Sequence, residues 1–304
     1  MTPDVMGELD IWFPHLGIYL RDIPYGFTVF GFFIAFYAVI IACGMLLAVK
    51  VCETIGSREG FPKDFFWDIA IWLIPIGIAG ARLYYVAFSW EDYAGNPLQI
   101  LNLRQGGLAI YGGVIAGFAT VAVYTKKKNL SFPKVMDVVM NGLLIGQIMG
   151  RWGNFTNREA FGGYTDNLFA MRIPQTAVRN AEMISEDIVA HIPEGANYIQ
   201  VHPTFLYESV WNLCLLAFIL WYRKRKRFDG EIVLLYLGGY GFGRFLIEGL
   251  RTDQLLVPGT DIAVSQMLGL ILTVFSVVTA IAVRKKKAKQ SRDDTGGEGE
   301  TEHT

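Results

Sequence analysis

Seven apolar runs, each about long enough to cross a bilayer, alternate with short polar segments along this chain. They are Thr28–Val49, Phe65–Phe88, Gly107–Tyr124, Val135–Gly153, Thr204–Tyr222, Glu231–Leu250 and Asp261–Val283. Roughly 20 residues at a rise of about 1.5 Å cross a ~30 Å hydrocarbon core, so each run predicts a transmembrane helix. Pro75 in the second run and paired glycines in the third are tolerated where neighbouring helices satisfy the freed backbone groups. The expected fold class is all-α: a polytopic membrane protein of seven transmembrane helices. The one long connection, about 155–203, lies between helices four and five and contains Gly162-Gly163, Pro174 and Pro193. It predicts a small extracytoplasmic cap, because long connections in compact proteins are usually functional or disordered. Residues 1–283 are read as the seven-helix domain with this cap. Residues 284–304 are read as a cytoplasmic basic and polar tail, disordered after Lys289 for want of apolar residues.

The charges between runs orient the bundle. Lys50, Arg58 and Lys63 follow the first run, and Lys126, Lys127, Lys128 and Lys134 the third. Arg223 to Arg227 follow the fifth, and Arg284 to Lys287 with Lys289 the seventh. Every second connection is basic. Basic loops stay in the cytoplasm, which places the N-terminus outside and the C-terminus inside. An error in the number of runs would break the alternation, so the charges support seven.

Composition adds little to this pattern. The chain has 304 residues, 52% of them hydrophobic, with a net charge of -1 that argues neither for nor against a nucleic-acid partner, and none is expected. Cys43, Cys52 and Cys214 lie in or beside apolar runs, where free cysteines behave as small hydrophobes, so neither a disulfide nor a metal site is expected. No cofactor is expected either. Asp4, Glu8 and Asp10 replace the basic start of a cleavable signal.

The polar residues inside the runs carry the functional information. Arg151 closes the fourth run within Gly150-Arg151-Trp152-Gly153-Asn154-Phe155-Thr156-Asn157-Arg158-Glu159, and Arg244 lies late in the sixth. A cation at membrane depth needs a counter-charge, water or a substrate anion. Glu248 follows Arg244 at i,i+4, within pairing reach, and Arg251 is seven residues beyond Arg244, or roughly 10 Å along a helix. Arg82, Tyr111, His202, Tyr207 and Glu208 fall at the same outer level, as do Asn154, Asn157 and Glu159. Blander readings stand beside this one. Arg82 snorkels to the interface, Arg244 and Glu248 form a structural ion pair, and His202 caps the fifth helix. Asp68 and Asp137 sit at helix starts because the macrodipole favours them there.

At these residues the sequence resembles the prolipoprotein diacylglyceryl transferases. The resemblance runs from about Pro24 to Val283. It is carried by the Arg151 segment above, by Gly107-Leu108-Ala109-Ile110-Tyr111-Gly112-Gly113, by His202-Pro203-Thr204-Phe205-Leu206-Tyr207-Glu208, and by Gly243-Arg244-Phe245-Leu246-Ile247-Glu248 with Arg251. Gly80-Ala81-Arg82-Leu83-Tyr84-Tyr85 and Ser265-Gln266 also fit. The resemblance implies a multi-pass enzyme of the bacterial cytoplasmic membrane. It would move the diacylglyceryl group of phosphatidylglycerol to the lipobox cysteine of a prolipoprotein signal peptide, forming a thioether and releasing glycerol phosphate. Two positions depart from the family pattern. Some members carry histidine where this chain has Tyr111, and Phe30 stands before Gly31 where tyrosine is frequent. Both put the proton transfer in question, not the overall reaction.

In this chemistry the substrate brings the nucleophile. The protein must position donor and thiol and stabilise charge on the departing phosphate, a task suited to guanidinium groups. Arg244 and Arg151 are the expected catalytic groups, with Tyr111 as proton acceptor or donor-orienting group. Arg151, Asn154, Asn157, Glu159, Arg82, Glu208, Glu248 and Arg251 are expected to bind substrate. Glu159 and Glu208 remain alternative proton acceptors or structural partners. An anionic-phospholipid transporter or flippase is the competing function. It accounts for the arginines but not for a polar set confined to one side. A receptor-like protein shares only the run count and orientation.

Overall fold

The computed structural model describes residues 5–103, 106–257, 259–260 and 262–297 of the chain. It is mostly helical. Helices α1 (Phe36–Arg58), α2 (Phe65–Phe88), α4 (Ile110–Lys127), α5 (Phe132–Asn157), α7 (Thr204–Tyr222), α8 (Glu231–Glu248) and α9 (Val264–Gly297) are long, whereas α3 (Trp90–Ala94) and α6 (Glu186–Ala190) are single turns. Phe36–Arg58, Phe65–Phe88, Thr204–Arg225 and Val264–Gln290 are each long and apolar enough to cross a membrane. The residues fall into two compact units, 47–142 and the remainder.

In the 47–142 unit, α2 and α4 pack through glycine. A Cβ at Gly80 would overlap the Gly112 carbonyl and the Ala116 side chain, and one at Gly112 would strike the Gly80 carbonyl and Tyr84. Small residues allow this backbone approach, the usual device for joining helices in lipid. Glu53 of α1 closes the start of α2: its carboxylate accepts from the Asp64 and Phe66 backbone N–H groups at 2.8 and 3.1 Å. Those N–H groups lack helical partners, and a carboxylate there also complements the macrodipole.

In the other unit, α8 and α9 meet at Gly241 and Gly269, where a Cβ on either residue would press on the other's carbonyl. Trp211 of α7 donates its indole N–H to the Gly239 carbonyl of α8 at 2.9 Å. This unit also holds a four-stranded antiparallel sheet. Its strands are β1 (Ile11–Phe13), β2 (Ile18–Leu20), β5 (Met171–Pro174) and β6 (Tyr198–Val201), in the order β2-β1-β5-β6. Ile11, Phe13, Phe161, Met171, Ile173, Ile188, Ile199, Val201 and Phe205 form its core. A separate hairpin pairs β3 (Gly26–Val29) with β4 (Phe32–Ala35).

The sequence-based expectation needs three corrections. The fold is not all-α. The segment expected as a cap between helices four and five gives the sheet only β5 and β6, and β1 and β2, near the start of the chain, are the two strands that complete it. Short strands need such neighbours to satisfy their backbone groups. The first helix starts at Phe36, not Thr28. Phe30 and Gly31 both take positive φ, 49° and 80°, the conformation of a two-residue hairpin turn, so the apolar run is split into a hairpin and a helix. Finally, α9 continues as helix to Gly297, beyond the point where the sequence predicts disorder. The rest of the expected tail, 298–304, lies outside the described residues, as does Asp261, where the seventh run was expected to begin.

Candidate active site

Glu208, in the first turns of α7, is buried and organises the site. Its Oε2 forms an ion pair with Arg151, 2.9 Å from Nε. Its Oε1 accepts from Arg244 Nη1 at 3.0 Å and lies 3.5 Å from Arg251 Nη1. One carboxylate thus faces three guanidinium groups, from α5, from α8 and from the turn after α8. Glu248, one helical turn beyond Arg244, forms an ion pair with it, Oε2 lying 2.6 Å from Nη2. The Ser265 hydroxyl, at the start of α9, donates to Glu248 Oε1, and Gln254 Nε2 donates to the Glu248 carbonyl at 2.5 Å. Asp253 grips Arg251 from the other side, with Nη2 to Oδ2 at 2.7 Å and Nε to Oδ1 at 2.9 Å. Three arginines therefore balance three carboxylates. The excess positive charge that Arg244 and Arg251 carry in the sequence is cancelled by Asp253, which sequence reasoning missed. An acid two residues beyond Arg251 was the available signal.

A second network continues from Arg151. Its Nη1 donates to Asn154 Oδ1 at 3.1 Å. Asn154 and Asn157 both donate to Glu159 Oε1, at 2.9 and 3.1 Å, and Arg179 Nη1 donates to Glu159 Oε2 at 2.9 Å. Arg158 and Ala160, on either side of Glu159, take left-handed backbone, φ 50° and 55°. Such strain persists only where surrounding contacts over-determine it, and here Arg158 supplies them. It is buried and donates to the Leu9 and Ile23 carbonyls at 2.7 and 2.6 Å. Nothing in the sequence signals Arg179 as a partner, because the contact depends on the path of the 160–179 segment.

The structure brings together Arg151, Asn154, Asn157, Glu159, Glu208, Arg244, Glu248 and Arg251, eight of the expected site residues. Arg82 and Tyr111 belong to the other unit. Arg82 does not snorkel. It is buried, and Nε, Nη1 and Nη2 all donate to carbonyls, those of Gln99, Ile100, Asn102, Gly106 and Gly107, at 2.8 to 3.3 Å. Five such contacts match the five N–H groups of a guanidinium, so its donors are spent on holding the 97–107 segment. Tyr111, half exposed in the first turn of α4, lies 6.5 Å from the Tyr84 ring, centroid to centroid. His202 does not cap α7; Pro203 stands at that position.

Four apolar helices of spanning length, together with arginines and carboxylates paired between α5, α7 and α8, define a helical integral membrane protein with a buried ionic site. Residues 24–282 match the family described as prolipoprotein diacylglyceryl transferase, and the chain belongs to that family. A phosphatidylglycerol–prolipoprotein diacylglyceryl transferase of Clostridioides difficile is 38% identical over 260 residues, 86% of this chain and 95% of the relative. Enzymes of the same name from Bacillus cytotoxicus and Lysinibacillus sphaericus are 42% and 41% identical, covering 82% and 84% of this chain and 87% and 90% of theirs.

Proposed function

We propose that this protein transfers the diacylglyceryl group of phosphatidylglycerol to the lipobox cysteine thiol of prolipoproteins, the first step of bacterial lipoprotein maturation. One observation carries the reading: three guanidinium groups, all from the family-like segments, converge on a single buried carboxylate. Among the described residues, Arg151 Nη2 and Arg244 Nε make no hydrogen bond, so each arginine keeps a donor for a phosphate oxygen. Glu208 and Glu248 fix the guanidinium planes before substrate arrives. Preorganised donors of this kind stabilise charge on the leaving phosphate at no reorganisation cost. Asn154, Asn157 and Glu159 hold Arg151 and supply amide groups for the glycerol hydroxyls. Arg251 completes the cationic set. Arg82 holds the carbonyls of Gln99, Ile100, Asn102, Gly106 and Gly107, and a part for Tyr111 in the transfer rests on its place in the motif alone.

The same reading includes seven crossings, with α4, α5 and α8 joining the four most apolar helices. Their glycines and charged residues lower hydropathy where helices face one another. It also includes an outer N-terminus, a cytoplasmic C-terminus and the four-stranded sheet as an extracytoplasmic cap, all supported by the alternation of basic connections. The test is direct. Incubated with phosphatidylglycerol vesicles and a lipobox peptide, the purified protein is expected to add one diacylglyceryl mass to the peptide cysteine. Movement of lipid across the bilayer with the peptide unmodified would overturn the transferase reading in favour of a flippase.

A further inference from the structure

The proposed reaction needs an acceptor for the thiol proton, and the arginine–carboxylate site offers no neutral base. A free thiol ionises near 8.5, so only a few per cent is thiolate at neutral pH. Beside the site lies a polar trio that the reading above leaves unused. His202 Nδ1 is 3.3 Å from the Tyr207 hydroxyl, and Asn167 Nδ2 donates to that hydroxyl at 3.1 Å. The amide's orientation is fixed, because Asn167 Oδ1 accepts from the Phe169 backbone N–H at 2.8 Å. Among the described residues, His202 Nε2 makes no hydrogen bond.

Backbone pairing brings this trio to the edge of the ionic site. The Gly162 N–H donates to the His202 carbonyl and the His202 N–H to the Gly163 carbonyl, both at 3.0 Å. The Gly163 N–H donates to the Leu250 carbonyl at 2.9 Å, and Gly162 bridges Arg251. Neighbouring strands lie about 4.8 Å apart, so His202 and Arg251 are roughly 10 Å apart at the backbone. Gly162 is required for this approach: a Cβ there would strike the Leu250 carbonyl and the His202 side chain. Tyr207, the hydroxyl partner, immediately precedes Glu208, which holds Arg244 and Arg251.

Resting on the proposed function, we infer that His202 is the general base of the transfer, held by Tyr207 and Asn167. Nε2 takes the proton as the S–H bond breaks. The thiolate forms its bond to the glyceryl carbon, and the carbon–oxygen bond to phosphate breaks with its electron pair going to the phosphate oxygen. The imidazolium then returns the proton to the released phosphate monoester. In the tautomer that leaves Nε2 free to take a proton, Nδ1–H donates to the Tyr207 oxygen, with Asn167 Nδ2 3.5 Å from Nδ1, the arrangement expected of a base oriented by a third group. Burial pushes the His202 imidazole below its ordinary 6.5, so it is neutral and able to accept a proton at pH 7. The groups facing it are Tyr207 from α7 and Asn167 from the adjoining loop, with Arg251, Asp253 and Glu208 beyond the Gly162 bridge.

The experiment is a pH–rate profile of peptide modification for the wild type, His202→Gln and Tyr207→Phe. In the wild type, kcat/KM should rise with pH on a single acid limb below about 6.5 and then level off. His202→Gln should lose about 10²–10⁴-fold at pH 7 and regain activity about tenfold per pH unit toward the thiol pKa near 8.5. Tyr207→Phe should lower kcat while leaving KM unchanged. A His202→Gln variant with the wild-type profile, whatever its rate, overturns the assignment. Should that variant not fold, a wild type without the acid limb overturns it equally. A wild type that modifies no peptide at any pH overturns the transferase reading itself, a result distinguishable from either of the others.

Discussion

Glu208 illustrates how much one residue can hold. Its carboxylate is the shared partner of Arg151, Arg244 and Arg251, so its removal leaves Arg151 without a counter-charge beside Arg244 and Arg251, which keep Glu248 and Asp253. Breaking a buried ion pair at one partner typically costs about 3–5 kcal/mol. The arginine side chains remain 9–19% exposed, so Glu208→Ala should fall at the lower end, on the order of 3 kcal/mol. The check is the thermal midpoint in detergent, and phosphatidylglycerol should recover part of the loss by supplying the missing negative charge. An unchanged midpoint would contradict this account. Arg244→Ala should behave differently: still inserted and folded, but slower in transfer by about 10²–10³-fold, as for other lost oxyanion donors. Single-turnover rates on purified protein decide the matter. At this scale the sequence revealed Arg151, Arg244, Glu248 and Arg251 because charge inside apolar runs is costly and therefore conspicuous. It did not reveal that Glu208 is the hub, since contacts between α5, α7 and α8 have no sequence spacing to betray them. Arg82 was misread for a related reason. A cation near a helix end reads as snorkelling or substrate-binding until the carbonyls of 97–107 are seen around it.

At the scale of elements, the long helices follow from hydropathy, and α2 coincides with its apolar run from Phe65 to Phe88. Where reading failed, two elements share one apolar stretch. Gly26 to Ala35 forms a hairpin because Phe30-Gly31 turns the chain back, yet its composition matches that of the helix it leads into. The strands β1 and β2 are three residues each, too short for alternation to register, and they pair with partners more than 150 residues away or across a tight turn. Close helix contacts give the element-scale prediction. Gly80→Leu should force α2 and α4 apart, because what opposes it is the Gly112 backbone, which has no rotamer to change. Overpacking costs about 1–3 kcal/mol where side chains yield, and this site should be at the top of that range. Thermal stability by size-exclusion chromatography after heating measures it. Gly60→Leu, at a position open to solvent, controls for leucine's bulk but also carries the strain of a positive φ. A Gly80→Leu variant as stable as the wild type would rule out tight α2–α4 packing.

For the whole molecule, orientation in the bilayer rests on the basic connections, and it has its own test. In a cysteine-free background, Glu182→Cys should react with a membrane-impermeant maleimide on intact cells, and Lys226→Cys only after permeabilisation. The reverse pattern would invert the proposed topology. The sequence alone determined what depends on local chemistry summed along the chain: a helical membrane protein, its family, and the charged residues that apolar surroundings make expensive. Tertiary structure decided what depends on distance between segments remote in sequence. It showed which carboxylate the arginines share, that Asp253 balances the charge, that the N-terminal strands complete a sheet with the 155–203 segment, and that Gly162 links the backbone of His202 to that of Arg251. The division has a physical cause. Hydrophobicity, helical period and desolvation cost belong to a residue and its near neighbours, whereas ion pairing and strand pairing exist only once the chain has brought distant groups within a few ångströms.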